Sequence, residues 1–379
     1  MNFYDKEFRL GILGGGQLGR MFIQEAINYN VNICILDPSP DAPCSKIATE
    51  FHLGSFKDYD TVMEFGKQMD VLTIEIEHVN VKALHDLQKM GKKVFPQPEV
   101  LAVVIDKGIQ KEFYKKHNIP TAEFYLIENK NEINDYRNEF PFMQKARIGG
   151  YDGRGVTPLR NDDDLDKAFD CPSVLEKIVP FEKEIAVTVA RNENGEIVTF
   201  PLVELDFNPE ANLVEYLYSP ARVSYETEIK AKEVAIKTAK AFNLVGVLAV
   251  EMFLTKEGEI LVNEVAPRTH NSGHHTIEGN ITSQFEQHLR SVLNLPLGNT
   301  EIISPAVMIN LLGEKKFSGK AQYDGLNEAL NIPGVYIHLY GKTETKPFRK
   351  MGHTTCLGNS VAEALEKAKQ VMKVLKVKT

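Results

Sequence analysis

Over the first hundred residues, short apolar runs alternate with stretches in which apolar positions recur at helical spacing. Arg9–Leu13 predicts a strand, Gly14, Gly15 and Gly16 turn the chain, and from Gln17 to Tyr29 the residues Leu18, Met21, Phe22 and Ala26 fall on one helical face. Further strands are predicted over Val31–Asp37, closed by Pro38-Ser39-Pro40, over Val71–Ile76, and, after a helix around Val81–Met90, at Val94-Phe95-Pro96. Continuous apolar strands separated by helices imply a parallel sheet covered on both faces. Residues 1–98 are therefore expected to form an α/β domain.

A helix is predicted from Glu99 to Asn118, carrying Asp106-Lys107, and from Thr121 the texture changes. Strands now come with Gly-rich loops and mix charged with apolar residues: Phe142–Ala146, Val174–Lys177, Glu184–Arg191, Ile197–Leu205, Val247–Leu254 and Glu259–Ala266. Helices fit Asp163–Phe169, Ile229–Phe242 and Ser283–Leu293. This is the pattern of an α+β domain on antiparallel sheet, expected over residues 99–298, with Pro296–Thr300 as linker. A smaller α+β domain, residues 299–379, is expected to hold strands at Ala306–Leu312 and Val335–Leu339, a basic loop, and a helix from Val361 to Val374.

Charge and cysteine usage narrow the function classes. The net charge is −8 and no basic stripe interrupts it, which argues against a nucleic-acid partner. No apolar run approaches the ~18–20 residues that span a bilayer, and the start carries acids with no cleavable signal pattern, so no membrane association is expected. The four cysteines, Cys34, Cys44, Cys171 and Cys356, form no CxxC pair, and a reducing cytoplasmic compartment is the simplest expectation.

Several motifs carry chemistry. Gly14-x-Gly16-x-x-Gly19 follows a strand and opens a helix, and Asp37 closes the second strand; this suits an NAD(P) site, a tight βα turn, or, with Arg20 beside it, a simple phosphate. Gly149–Gly155 has four glycines in seven residues after the strand bearing Lys145, without a Walker Gly-Lys-Ser/Thr; its amides can cradle phosphates. The segment Glu176-Lys177-Ile178-Val179 followed by Glu184 can clamp a nucleotide, with Ile178 and Val179 against the base and Glu184 on ribose.

The hairpin Val247–Ala266 is the most informative. Folding it symmetrically about Glu257 and Gly258 pairs 256 with 259, 254 with 261 and 251 with 264, so Glu251 faces Glu264. Facing like charges destabilise a sheet. Two carboxylates among Val and Ala neighbours need a cation or a proton, and Mg²⁺ takes one or two carboxylates plus phosphate oxygens. Asn263 adds an amide. Directly after it, Arg268, Asn271, Ser272 and three histidines, His270, His274 and His275, crowd the same place without an H-E-x-x-H zinc pattern.

Taken together, GGGQLGRM (14–21), EIEHV (75–79), KARIGGYDGRG (145–155), LEKIVPFEKEIA (175–186), VGVLAVEMF (245–253), NEVAPRTHNSGHHT (263–276) and YGK…RKMGH (340–353) resemble the ATP-grasp superfamily. Within it, the closer resemblance is to the ATP-dependent carboxylases of purine biosynthesis, the N5-carboxyaminoimidazole ribonucleotide synthetases. The resemblance implies a three-part architecture: an N-terminal Rossmann-like domain without dinucleotide, a central ATP-grasp domain and a small C-terminal domain. It implies Lys107 and Lys145 on the ATP phosphates and Gly150, Tyr151, Asp152, Gly153, Arg154 and Gly155 as their lid. Glu176, Lys177, Ile178, Val179 and Glu184 would hold adenosine, Asn263 and Glu264 would touch the nucleotide, and Glu251 and Glu264 would hold Mg²⁺. The ribonucleotide would meet Gly16, Gln17, Leu18, Glu75, Tyr151, Arg268, Asn271 and Ser272, with Lys342, Arg349 and Lys350 for its phosphate. Arg268 and Lys145 would act in catalysis, with His274 as candidate base. The partners implied are ATP, bicarbonate and aminoimidazole ribonucleotide, on a homodimer without flavin, NAD or biotin.

Two departures stand out. Leu205-Asp206-Phe207 occupies a place where the family often has Asn-x-His, and Lys346-Pro347-Phe348-Arg349-Lys350 replaces an Arg-Pro-Gly-Arg-Lys motif, so Lys346 cannot form a bidentate fork. Alternative readings are another ATP-grasp ligase, such as a formate-dependent glycinamide ribonucleotide transformylase, and an NAD(P)-dependent oxidoreductase using the Gly14–Gly19 turn.

Overall fold

The computed structural model describes residues 2–150, 155–208 and 213–379. The first unit runs β1 (Leu10–Leu13), α1 (Gln17–Asn28), β2 (Ile33–Asp37), β3 (Glu50–Leu53), α2 (Tyr59–Lys67), β4 (Val71–Ile74), α3 (Val81–Lys89) and β5 (Lys93–Val94). Its five strands are parallel, in the order β3-β2-β1-β4-β5. One face packs Leu10, Ile12, Ile33 and Ile35 against Met21 and Phe22 of α1, and also against Phe285, Leu289 and Val292 from the second half of the chain. The other face packs Leu13, Leu36, Leu72 and Ile74 on α2 and α3. Double coverage explains the unbroken apolar strands. The edge strand β3, Glu-Phe-His-Leu, lacks that signature because it is only partly covered.

The single helix expected over 99–118 is two, α4 (Pro98–Val104) and α5 (Lys107–Lys116). Asp106 leaves helical geometry between them, and its carboxylate accepts the N–H groups of Gly108 and Ile109. This is an N-cap, which starts a new helix where the periodicity alone would continue the old one.

A small antiparallel sheet follows, from β6 (Phe124–Ile127), β7 (Phe142–Ala146), β8 (Val156–Leu159) and β9 (Ser173–Lys177), in the order β6-β9-β7-β8. The helix expected at 163–169 is a 3₁₀ turn, Asp162–Lys167. The large sheet begins with β10 (Phe181–Arg191), β11 (Ile197–Thr199), β12 (Val203–Asn208) and β13 (Leu213–Ser219). The one strand expected over 197–205 is split, because Pro201 has no N–H for the ladder. Then come α6 (Tyr225–Ala241), β14 (Gly246–Thr255), β15 (Ile260–Ala266), α7 (Thr276–Gly279) and α8 (Gln284–Val292). The last segment holds β16 (Ala306–Leu312), β17 (Gly319–Lys320), β18 (Gln322–Asp324), α9 (Leu326–Leu330), β19 (Val335–Leu339), β20 (Glu344–Thr345), β21 (Lys350–Leu357), α10 (Val361–Val374) and β22 (Lys376–Lys378). Part of the basic stretch expected as a loop is thus strand β21.

The large sheet runs β15-β14-β10-β12-β13-β16-β21-β19, with β11 paired to β10. The strands beyond residue 299 therefore continue the sheet of the central segment, through β13 and β16. On one face, Ala231, Ala235 and Ala239 of α6 let the helix lie close on Ile185, Val187, Leu248 and Val250. Strand alternation sends Glu184 and Glu251, which pair with Phe253 and Ala186, to the opposite face. No helix among the described residues is long and apolar enough to cross a membrane.

The β14–β15 hairpin departs from symmetric folding in an instructive way. Its turn is centred half a residue earlier than symmetric folding places it: Leu254 pairs with Ile260, and Thr255 N–H donates to the Glu259 carbonyl at 3.0 Å, which leaves residues 256–258 in the loop. Glu251 nevertheless pairs with Glu264, because a bulge between Glu251 and Met252 on β14 and their partners takes up one extra residue, Asn263. Gly258 closes the turn with φ of +80°. A Cβ there would meet nothing within 4 Å, so Gly258→Ala tests the backbone alone. We expect a loss of about 1–2 kcal/mol in urea unfolding, with the strands otherwise intact.

Candidate active site

The acidic face of the large sheet and the basic ends of the small sheet and α5 face each other. Lys107, at the first position of α5, ion-pairs with Glu264 at 2.8 Å. Lys145, near the end of β7, donates to Asn263 at 2.8 Å and pairs with Glu176 of β9 at 2.9 Å. The bulge thus gives two adjacent residues, Asn263 and Glu264, a lysine each. Lys111, one helical turn after Lys107, completes the group by pairing with Glu176 at 3.3 Å.

The electrostatics follow from this arrangement. Lys107 holds the Glu264 carboxyl below its ordinary range. Burial, reinforced by the facing Glu264 and by Glu184, pushes Glu251 up. Burial also raises Glu184 to about 7, against the pull of Lys145. The Glu251 side chain is 13% exposed and that of Glu264 46%, so one acid is sheltered and the other opens to the cleft. Among the described residues no three of His, Cys, Asp and Glu gather as a metal cage. The paired carboxylates fit a hard divalent cation that draws its remaining ligands from nucleotide phosphates. Such a charge would also remove the cost of ionising Glu251.

His270 closes this end, with Nδ1 3.4 Å from Glu251 and 3.0 Å from the Ser272 hydroxyl. His274, expected as the base, does not open to the site. It is 1% exposed, its Nδ1 meets Gln284 at 3.1 Å, and its ring packs on Phe285 and His353. Burial drives its pKa well below the usual value. His270 is therefore the histidine at the cleft, while His274 anchors the loop. Asn271 is likewise held away, in a reciprocal amide pair with Asn310 at 2.8 and 3.1 Å.

Further expected residues divide as follows. The Glu176 side chain is buried between two lysines and is not presented to an adenosine; burial opposes its ionisation, but Lys145 and Lys111 outweigh it. Lys177 pairs with Glu139 at 3.0 Å and lies over the Phe142 ring. Ile178 is exposed and Val179 half-buried where the small sheet passes into the large one. Ala146 N–H donates to the Gly155 carbonyl at 2.9 Å, bringing Gly155 back to Gly150. Tyr151, Asp152, Gly153 and Arg154 lie outside the described residues. Arg147, which carries the root of this loop, forks onto Asp106 at 2.9 and 2.8 Å and so ties it to the start of α5.

A second charged pocket lies where all three segments meet. Arg268, four residues after Glu264, pairs with Glu77 at 2.9 Å. Glu75 accepts the N–H of Leu18 at 3.1 Å, and Arg268 and Lys342 both act on its charge. Asp37 accepts the N–H groups of Gly15 and Ser39 at 2.7 and 2.8 Å. Carboxylates of the protein itself thus occupy the turn that could have cradled a dinucleotide. A Cβ on Gly16 would run into Glu75, which accounts for the glycine without a phosphate. Gln17 is half-buried at the first position of α1. Lys342 donates to the Lys350 carbonyl at 2.7 Å, and the Lys350 charge acts on Glu251. Arg349 bonds the Glu344 carbonyl on the exposed side of the loop. Sequence reasoning missed Lys111, Glu77 and the Asp106–Arg147 fork; the four-residue spacing from Lys107 was the one signal for Lys111.

Three family models match the chain: a ribonucleotide synthetase preATP-grasp domain over residues 8–105, an ATP-grasp domain over 112–285 and a phosphoribosylaminoimidazole carboxylase C-terminal domain over 306–367. The crystal structure of N5-carboxyaminoimidazole ribonucleotide synthetase from Thermotoga maritima is similar at 45% identity, with a TM-score of 0.91 over 98% of this chain and 99% of that one. The Aspergillus clavatus N5-carboxyaminoimidazole synthase, solved with ADP and 5-aminoimidazole ribonucleotide, is 35% identical, with a TM-score of 0.88 over 97% of this chain and 98% of that one. A chloroplastic phosphoribosylaminoimidazole carboxylase from Vigna aconitifolia is 42% identical over 94% of this chain, which spans 65% of that protein's length.

The Glu75 pocket has a pH signature. Burial pushes Glu75 up to about 7 from the 4.5 of an unperturbed carboxyl, against Arg268. The folded protein therefore holds this proton more tightly than the unfolded chain does, and stability falls as pH rises from about 4.5 to about 7. Glu75→Gln keeps the acceptor for Leu18 but cannot ionise. Its melting temperature should drop less than that of the wild type between those two pH values.

Proposed function

We propose that this chain, which belongs to the N5-carboxyaminoimidazole ribonucleotide synthetase family of ATP-grasp enzymes, is a carbon–nitrogen ligase of purine synthesis. It joins bicarbonate to the exocyclic amine of 5-aminoimidazole ribonucleotide and converts ATP to ADP and phosphate. The observation that carries this reading is the placement of Arg268. It follows Glu264 by four residues and ends among Glu75, Glu77 and Lys342, so it joins a phosphate-handling end to a second polar pocket.

Bicarbonate is a poor electrophile and needs a better leaving group. Its oxygen takes the γ-phosphoryl group, the bond to the β-phosphate oxygen breaks, and carboxyphosphate and ADP result. Such a transfer asks mainly for positioning and charge neutralisation. Lys145 and Lys107 supply fixed cations on one wall, with Glu251, Glu264 and Asn263 as the residues that would hold Mg²⁺ on the other. The bound ion would neutralise developing phosphoryl charge. Arg268 meets the carboxyphosphate, and Glu75 faces the acceptor's sugar or amine. Attachment of the amine nitrogen to the carboxyl carbon releases phosphate and one proton; His270 is the imidazole within reach of the cleft. Lys342 offers its ammonium to the ribonucleotide phosphate.

The test is phosphate release. It should require ribonucleotide and bicarbonate together; support by formate in place of bicarbonate would point to a transformylase, and tight NADH binding without ATP binding would overturn the reading. Glu251→Gln and Glu264→Gln should each lower kcat roughly 10²-fold or more, with near-normal turnover at saturating magnesium counting against the metal assignment. Lys342→Ala should raise the ribonucleotide KM by roughly 10-fold or more, as expected for a lost charge-assisted phosphate contact, while the ATP KM stays within about a factor of two. Equal losses for both substrates would place Lys342 in the fold instead.

A further inference from the structure

Two lysines share one buried carboxylate beneath the phosphate end of the cleft. Glu176 receives Lys111 on Oε1 at 3.3 Å and Lys145 on Oε2 at 2.9 Å. The side chains of Lys111 and Glu176 are only 2% and 4% exposed, whereas Lys145 reaches the cleft wall and bonds Asn263. Lys111 is fixed from its other side by the Thr121 hydroxyl at 2.6 Å, which itself donates to the Val262 carbonyl at 2.7 Å, next to the bulge. Lys111 cannot touch a nucleotide from this position.

Charge counting gives it a purpose. Glu176 and Lys145 alone form a neutral pair, and a neutral pair offers little to a triphosphate. With Lys111 present, the group carries one net positive charge, and the end of that charge at the cleft wall is the Lys145 ammonium, beside Asn263. We infer that Lys111 is a positioning residue for the nucleotide: by sharing Glu176 it keeps the Lys145 ammonium available to ATP phosphate. This rests on the reading above that Lys145 meets the ATP phosphates. Building the site this way places a fully enclosed cation, Lys111, behind one that reaches the cleft wall, Lys145. It spares Lys145 from being fully committed to Glu176, and removing Glu176 instead would leave two like charges side by side.

The experiment compares Lys111→Met, Glu176→Gln and the double variant, read by ADP titration calorimetry and by the KM values for ATP and ribonucleotide. Lys111→Met should weaken ADP binding and raise the ATP KM by roughly 10-fold, the equivalent of about 1.4 kcal/mol, with the ribonucleotide KM within about twofold. The double variant restores the single net charge, so its ATP KM should return to within about threefold of the wild type. A filler of the core would show no such rescue. Unchanged ADP affinity in Lys111→Met, or a loss that the second substitution fails to recover in a folded protein, would overturn the inference. If Lys111→Met does not fold, Glu176→Gln alone decides: freeing both ammoniums should tighten ADP binding, and weakening would refute the sharing. Failure of the functional reading looks different: phosphate release indifferent to ribonucleotide and bicarbonate in the wild type, with the ADP titrations still informative.

Discussion

Two carboxylates opposed across neighbouring strands repel each other, and a sheet keeps them only if positive charge attends. Glu251 and Glu264 meet this condition through Lys107 on one side and through the cleft on the other. Much of the surrounding architecture follows from that need. The α4–α5 break exists so that Lys107 can stand at a helix start, and Asp106 is locked there by Arg147. The bulge at Asn263 brings a second polar residue to the same wall and so recruits Lys145. Remove the facing acids and Lys107 would lose its partner, while Lys111 and Lys145 would still meet at Glu176.

What the sequence revealed, and what it hid, can be argued from particular residues. The parallel strands were legible because burial on both faces demands unbroken apolar runs, and the facing of Glu251 and Glu264 because hairpin pairing is arithmetic. That arithmetic reached the correct pair through a wrong turn: a turn centred half a residue earlier and a one-residue bulge cancel. Edge strands such as β3 were invisible because half-covered residues need not be apolar. His274 and His270 could not be told apart, since a single 3₁₀ turn, Asn271–Gly273, decides which imidazole faces the cleft and which meets Gln284. Asp106 read as one more helical residue because a cap competes with periodicity and leaves it untouched.

The Gly-rich turn shows how a motif can keep its geometry and change its occupant. Amides at a helix N-terminus attract anions. Here Asp37 and Glu75 supply them from within the protein, so the turn binds the sheet's own acids and ties β2 and the chain after β4 to α1. Its glycines are required for close approach by a side chain. Glu75 then presents its remaining face, together with Arg268 and Lys342, to the junction pocket.

The continuity of the large sheet has a consequence for how such a chain can be divided. The strands that carry Glu264 and the strands that lead to Lys342 belong to one hydrogen-bonded ladder, joined where β13 meets β16. Removing the chain beyond the linker would bare the backbone of β13 from Tyr216 to Ser219, and an open flat edge invites pairing with other chains. The last eighty or so residues are thus no detachable appendage. They cover a seam, and shuffling them into another protein would require an equally fitting edge on the recipient.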